Sequence, residues 1–189
     1  MYKENYTFMN GKKTKKIYIV LTYTGTVLSK IIKCYTKAEF SHVSLALDEN
    51  LDEMYSFGRL NPYNPFIGGF VKEGINIGTF GRFKKTTSAI YSFDLTIEQY
   101  EKIKEIINDM KKNRKMYRFN IIGLFATAFN IRIKRNNYFY CAEFVKYLVE
   151  TAQLDLDLPD IIKPNDFKSV NNLELEYRGL LKNYKLVSE

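Results

Sequence analysis

The sequence predicts an α+β fold, because strand-like and helix-like segments are mixed along the chain without a regular β-α-β alternation. Two kinds of periodicity support this class. Alternating or continuous apolar runs predict strands, and apolar residues repeated every three or four positions predict helices. The 189 residues contain no internal repeat and no low-complexity linker. We therefore expect a single domain over residues 1–189.

The N-terminal region predicts a strand followed by a helix. Residues 17–23 (IYIVLTY) are β-branched and aromatic, which is typical of a buried strand. Gly25 ends the strand, and apolar residues at helical spacing over 27–35 predict a helix. Cys34 lies within that pattern, so we expect it to be a core residue.

A hairpin and a long loop are predicted next. Residues 43–47 alternate between apolar and polar side chains, which predicts a half-buried strand. Residues 48–50 turn the chain, and residues 52–58 (DEMYSFG) predict its hairpin partner. Residues 59–85 are rich in Gly, Pro, Asn and Phe and predict a long loop excursion with short strands. Loops of this length often form a lid or a substrate wall.

The rest of the chain predicts three helices and two strands. Residues 88–95 predict a strand, after which Thr96 and Gln99 have the spacing of a capping box. An apolar stripe from Ile97 to Met110 predicts the helix that this box begins. The other predicted elements are helices over 120–129 and 141–152, a helical turn at 164–167 and a last strand over 173–177.

Charge and composition exclude several classes of function. The formal charge is +8 and the pI is about 9.3, but the basic stretches 12–16 and 111–115 flank predicted elements and form no single stripe. We therefore expect no nucleic-acid partner. The apolar stretches are too short for a bilayer and no signal peptide is visible, so we expect no stable membrane insertion. Two cysteines in such a chain favour reduced thiols and a cytoplasmic location.

One histidine and two cysteines limit the chemistry available to the chain. Their spacing is not that of a zinc site, and the glycines do not form a phosphate-binding loop, so we expect no metal and no cofactor. A thiol and an imidazole are the minimal set for a cysteine nucleophile and its base, provided that both face one cleft.

Cys141 is the candidate nucleophile. It lies where an aromatic run becomes an amphipathic helix, so we expect it at the helix N-terminus. Unpaired N–H groups and the positive end of the helix dipole stabilise a thiolate there, and the same N–H groups stabilise an oxyanion. The alternative is that Cys141 is a small apolar core residue, as most unpaired cysteines are.

His42 is the candidate base, because it is the only histidine in the chain. It shares a predicted strand face with Ser44 and is distant from Cys141 in sequence. Partners in thiol catalysis are commonly distant in sequence and adjacent in the fold. The alternative is that His42 is a hydrogen-bonded structural group.

The two motifs together resemble those of circularly permuted papain-like cysteine hydrolases. These include the permuted NlpC-type group, with YiiX/YaeF-like members, and the lecithin–retinol acyltransferase-like proteins. Such proteins place a strand histidine first, in a motif like His-x-Gly-Ile, and the cysteine later, in a motif like Tyr-Cys-[Ser/Ala]-Glu. Residues 42–45 (HVSL) and 140–143 (YCAE) occupy these places in that order. The resemblance implies a permuted papain-like fold, with an antiparallel sheet or a small barrel packed against helices.

The chain departs from this family pattern at two positions. Ser44 replaces the usual glycine, and the third polar residue, usually an acid or a second histidine, falls near Ser56. A serine can orient an imidazole but cannot stabilise an imidazolium as a carboxylate does. Ser56 is therefore the predicted orienting residue, with Glu53 and Glu73 as alternatives.

The resemblance implies a cysteine hydrolase or acyltransferase that forms a thioester on Cys141, with His42 as general base. Its substrates would be peptides, cell-wall-derived amides or acyl lipids. The departures at Ser44 and Ser56 support a second hypothesis, in which the chain is a catalytically inactive binding protein and its aromatic loop forms a ligand groove. The sequence leaves the oligomeric state open.

Overall fold

One mostly antiparallel, open sheet forms the centre of the molecule and confirms the predicted α+β class. The computed structural model describes residues 7–9, 12–61 and 63–186. Its strands are β1 (Thr7–Met9), β2 (Lys12–Tyr23), β3 (His42–Ala46), β4 (Met54–Asn61), β5 (Asn64–Glu73), β6 (Thr87–Thr96), β7 (Arg118–Phe119), β8 (Tyr138–Phe139) and β9 (Glu174–Leu180). Their order is β8-β7-β5-β4-β3-β2-β6-β9, with β1 paired to β2. Within the described residues this path does not close, so the sheet is observed and the small barrel is not.

The four predicted helices are present with small changes at their ends: α1 (Val27–Thr36), α3 (Ile97–Lys112), α4 (Ile121–Ala126) and α5 (Cys141–Thr151). A further helix, α2 (Gly78–Arg82), was not predicted, because a short strand was expected over 78–83. There are also 3₁₀ turns at Thr127–Phe129, Pro164–Ser169 and Leu181–Leu186. The predicted capping box begins α3: the Thr96 hydroxyl accepts from the Gln99 N–H at 3.2 Å, and the Gln99 side chain accepts from the Thr96 N–H at 3.1 Å. Within the described residues, no helix has the length and apolar character needed to cross a membrane.

Alternation along β2 divides the core between the two faces of the sheet. Ile17, Ile19 and Leu21 belong to the core that α3 and α5 cover, whereas Tyr18 and Val20 belong to the core on the other face. The central strand is therefore buried on both sides, which explains its continuous apolar sequence. Each fully buried apolar side chain contributes roughly 1.5–3 kcal/mol.

Residues 59–85 do not form the predicted long loop. β4 and β5 form a hairpin in which Arg59 pairs with Gly68 and Gly58 pairs with Gly69, and α2 follows it. Glycine is required at Gly68 because a Cβ there would lie 2.9 Å from Cγ of Phe119. Gly68 therefore permits close packing within the sheet and does not mark a loop. As a result, Glu73 lies at the end of a strand and not in a loop.

Cys34 is exposed, although it was expected in the core. The stripe of α1 that carries Val27, Ile31 and Cys34 is turned to solvent, and Val27 is 76% exposed. Among the residues of α1 whose burial the structure describes, Ser29 is buried and only 4% exposed. The spacing of the apolar residues predicted the helix correctly, but it did not predict the exposure of Cys34.

Candidate active site

His42 is the first residue of β3, and pairing with Thr22 of β2 fixes its position in the sheet. Its side chain is 20% exposed. The ring of Phe80, from the core on one face, lies 6.3 Å from the imidazole between ring centroids. Cys141, from the core on the other face, also reaches the imidazole. His42 therefore lies at a strand end where side chains of both cores meet.

A buried carboxylate holds the imidazole. His42 Nε2 lies 3.1 Å from Oε1 and 3.2 Å from Oε2 of Glu73, whose side chain is 9% exposed. The Ser44 hydroxyl donates to Oε2 of the same carboxylate at 2.5 Å. Glu73 is thus the acid that the sequence offered only as an alternative. Glu53, the other alternative, instead accepts hydrogen bonds from two lysines and a tyrosine.

Ser56 does not orient the imidazole, and this corrects the prediction. Its hydroxyl donates to the carbonyl oxygen of Val43 at 2.8 Å. The pairing register places Ser56 and Gly58 of the intervening strand on the same face as His42 and Glu73. These two small residues leave the space across which the glutamate reaches the histidine.

Gly58 is a site residue that the sequence analysis missed. A Cβ at this position would lie 3.3 Å from Cε1 of His42 and 3.3 Å from Oε1 of Glu73. Any side chain would therefore press on the hydrogen-bonded pair. The available signal was a glycine inside a predicted strand, which often marks a close approach of neighbouring groups.

The charge state of His42 follows from its neighbours. Burial alone lowers the pKa of the imidazole, but the charge of Glu73 and the hydrogen bond to Cys141 outweigh burial and raise this pKa to about 10. At neutral pH the ring is then an imidazolium, and both ring nitrogens donate. Because Nε2 faces Glu73, Nδ1 is the nitrogen left for the sulfur of Cys141.

Cys141 is the first residue of α5, as predicted, and is 3% exposed. The preceding residue, Tyr140, has extended backbone and makes no side-chain hydrogen bond to the helix, so no side-chain cap covers the first turn at the cysteine. The phenol of Tyr140 instead donates to the carbonyl of Ile162 at 3.0 Å and anchors the helix start. The N–H groups of this turn therefore have no cap from the Tyr140 side chain, and they lie at the positive end of the helix that begins with Cys141.

Glu143, in the first turn of α5, is directed back towards the start of the helix. Its carboxylate bonds to the backbone of Tyr140 and lies 3.5 Å from the side-chain nitrogen of Asn120. Burial raises the pKa of Glu143, and these hydrogen bonds lower it to a smaller extent. The residue thus supports the helix end that presents Cys141.

A narrow cleft of about 70 Å³, partly open to solvent, gives access to the paired side chains. The residues that line it include His42, Glu73, Cys141, Phe57, Phe80 and Arg59. The predicted histidine and cysteine are therefore brought together in one concave site.

The aromatic residues expected to form a ligand groove are divided between core and cleft. Tyr55 and Phe70 are stacked with their ring centroids 5.8 Å apart, and Phe70 contacts Phe144 of α5 at 5.8 Å. These rings pack beneath α5 and cannot form a groove. Phe57 and Phe80 do line the cleft, and they give it apolar walls.

Comparison with known proteins gives no family to which the chain can be assigned. No model of a protein family matches the sequence, and no curated protein matches it. Within the described residues, no group of three or more His, Cys, Asp or Glu side chains is arranged to hold a metal ion.

Proposed function

We propose that this protein is a cysteine hydrolase or acyltransferase, with Cys141 as nucleophile, His42 as general base and acid, and Glu73 as the residue that orients and charges the imidazole. The observation that carries the proposal is the position of His42 between a thiol and a buried carboxylate. Nucleophile, base and orienting group in hydrogen-bonded sequence are the signature of activated nucleophiles.

In the proposed reaction the Cys141 proton already resides on His42, which is an imidazolium beside the sulfur. The sulfur then attacks the carbonyl carbon of an amide or ester, and N–H groups at the start of α5 stabilise the oxyanion of the tetrahedral intermediate. Collapse of the intermediate breaks the bond to the leaving group, which takes the proton from His42. A thioester on Cys141 is left, and water or a second acceptor releases the acyl group after losing a proton to His42.

The carboxylate of Glu73 answers the argument that the site is catalytically inactive because its third residue is a serine. The sequence suggested a serine as third residue, which could not stabilise an imidazolium. The carboxylate supplies that stabilisation, and Ser44, at the place where the resembled families have glycine, donates to it. The binding-protein hypothesis therefore has less support than the hydrolase hypothesis.

The resemblance to permuted papain-like hydrolases is part of the proposal. It supports an acyl or peptidyl substrate, and the apolar walls of the cleft suit such a group. The thiols of Cys34 and Cys141 are both free, which supports a reducing compartment such as the cytoplasm.

Alkylation by iodoacetamide tests the proposal. Because Cys34 is exposed, the measurement uses a Cys34→Ala chain, in which Cys141 is the only thiol. We expect rapid alkylation of Cys141 at neutral pH and slowing by about 10²-fold or more in His42→Ala, since general-base assistance contributes roughly 10²–10⁴-fold.

The control is the Ser56→Ala chain, which removes a hydroxyl from the same face without removing a proposed catalytic group. It should react at the rate of the parent chain. Equal rates for the parent and His42→Ala would exclude the hydrolase and leave the binding protein. A thioester trapped with a chromogenic acyl ester would extend a positive result to the acylation step.

A further inference from the structure

Arg59 is a cleft residue that the proposed reaction does not use. It lies on β4 opposite Gly68 and lines the same cleft as His42 and Cys141. Its side chain is partly buried. A cationic side chain in this position needs either solvent or an anion to compensate its charge.

The guanidinium of Arg59 is held in place by uncharged groups. One nitrogen, Nη2, donates to the hydroxyl of Thr26 at 2.5 Å. Thr26 is in turn the N-cap of α1, where its hydroxyl accepts from the N–H of Ser29 at 3.3 Å. The guanidinium also lies over the ring of Phe83, 5.9 Å from its centroid. These contacts fix its orientation without neutralising it.

No carboxylate compensates Arg59 within residues 7–9, 12–61 and 63–186. The charged neighbour that acts on it is Arg82, whose guanidinium lies 5.3 Å from the same Phe83 ring. Burial, with a smaller contribution from Arg82, lowers the pKa of Arg59. Arg178, by contrast, forms an ion pair with Glu39.

Other groups on the same side of the cleft also favour an anion. α1 begins at Val27 beside the Arg59–Thr26 bond, so the positive end of its dipole adds to the charge of the guanidinium. Thr24 and Ser29 also line the cleft there. A fixed arginine fork is a group that binds a carboxylate or phosphate.

We infer that Arg59 binds an oxyanion on the substrate, a carboxylate or a phosphate, while the scissile carbonyl lies at Cys141. The substrate class is then an acyl or peptidyl compound that carries a negative charge near the reacting bond. This inference rests on the proposed function, since it assigns the charged part of the substrate of that same site.

Paired alkylating reagents test the inference without a known substrate. Iodoacetate and iodoacetamide share a leaving group and differ in charge, so the ratio of their rates at Cys141 reports attraction of an anion into the cleft. In the Cys34→Ala background, Arg59→Gln should lower the iodoacetate-to-iodoacetamide ratio by about tenfold or more, the size expected for a charge within about 12 Å at an effective dielectric constant of about 20. Arg59→Lys keeps the charge and should retain most of the ratio.

Arg178→Gln is the matched control, because it also removes one arginine charge, but from a residue of β9 that is paired with Glu39. It should leave the ratio unchanged. An unchanged ratio in Arg59→Gln, with Cys141 still reactive, overturns the anion site and leaves the proposed hydrolase intact.

Anion-dependent stability provides a second readout that does not depend on thiol reactivity. Inorganic phosphate and acetate should each raise the Tm of the parent chain if they occupy the site, because a ligand that binds only the folded state stabilises it. The stronger of the two identifies a phosphate or a carboxylate as the natural group. The rise should be lost in Arg59→Gln and kept in Arg178→Gln. If neither anion raises the Tm of the parent chain more than it raises the Tm of Arg59→Gln, the inference is overturned. This holds even if Cys141 proves unreactive.

Discussion

Replacing Glu73 by glutamine removes one negative charge from the site and keeps its shape. In the parent chain, Nε2 of His42 lies 3.1 Å from Oε1 of Glu73. The glutamine oxygen can still accept a hydrogen bond from this nitrogen or from the hydroxyl of Ser44. The substitution therefore isolates the charge of Glu73 from its hydrogen bonds. If the charge maintains the imidazolium, the pKa of His42 must fall.

The size of the fall can be worked from the geometry. Unit charges about 4 Å apart interact by about 4 kcal/mol at an effective dielectric constant of about 20. One pKa unit corresponds to about 1.4 kcal/mol, so the loss amounts to about 3 units. The pKa of His42, raised to about 10 in the parent chain, should then fall to near 7 in Glu73→Gln.

Ring NMR of the single histidine measures this pKa without any assignment problem, since the chain contains one imidazole. We expect the ring of the parent chain to stay protonated through neutral pH and the ring of Glu73→Gln to titrate near neutrality. Alkylation of Cys141 in the Cys34→Ala background should slow at neutral pH in parallel. Glu53→Gln is the control, because Glu53 bonds to Lys72 and Lys111 and not to the imidazole. A histidine pKa that is the same in parent and Glu73→Gln would refute the electrostatic account of the site.

Three further predictions follow from the same geometry. Gly58→Ala should weaken the hydrogen bond between His42 and Glu73, because its Cβ would lie 3.3 Å from both side chains; the pKa of His42 should fall and alkylation of Cys141 should slow. Gly69→Ala is the control and should have little effect, because its Cβ would meet only a leucine at 3.4 Å. Equal effects of the two substitutions would contradict this reasoning. The His42–Glu73 interaction should stabilise the fold fully below the unfolded histidine pKa of about 6.5 and lose this contribution as pH rises through about 10. The free energies of unfolding of the parent chain and His42→Asn, measured in urea, should therefore converge at alkaline pH. A difference that stays constant with pH would contradict this prediction. Ser56→Ala should lower the free energy of unfolding by about 1 kcal/mol, through loss of its bond to Val43, without moving the pKa of His42; a shifted histidine titration would restore the orienting role that the sequence suggested.

The local sequence determined the elements that carry the nucleophile and the base. Periodicity of two predicted the strand of His42, and helical spacing predicted α5 with Cys141 at its start. The Thr96–Gln99 capping box located the start of α3. These features depend on residues within one or two turns of each other, so the chain alone specifies them.

Only the tertiary structure decided which groups meet at the site. Glu73 contacts His42 because the register of β3, β4 and β5 aligns them across Ser56 and Gly58, and register is set by packing between distant segments. The glycines of residues 59–85 predicted a loop, although Gly68 permits close packing of a strand against Phe119. The position of Arg59 in the cleft depends on the same pairing, since hydrogen bonds between strands decide which side chains share a face.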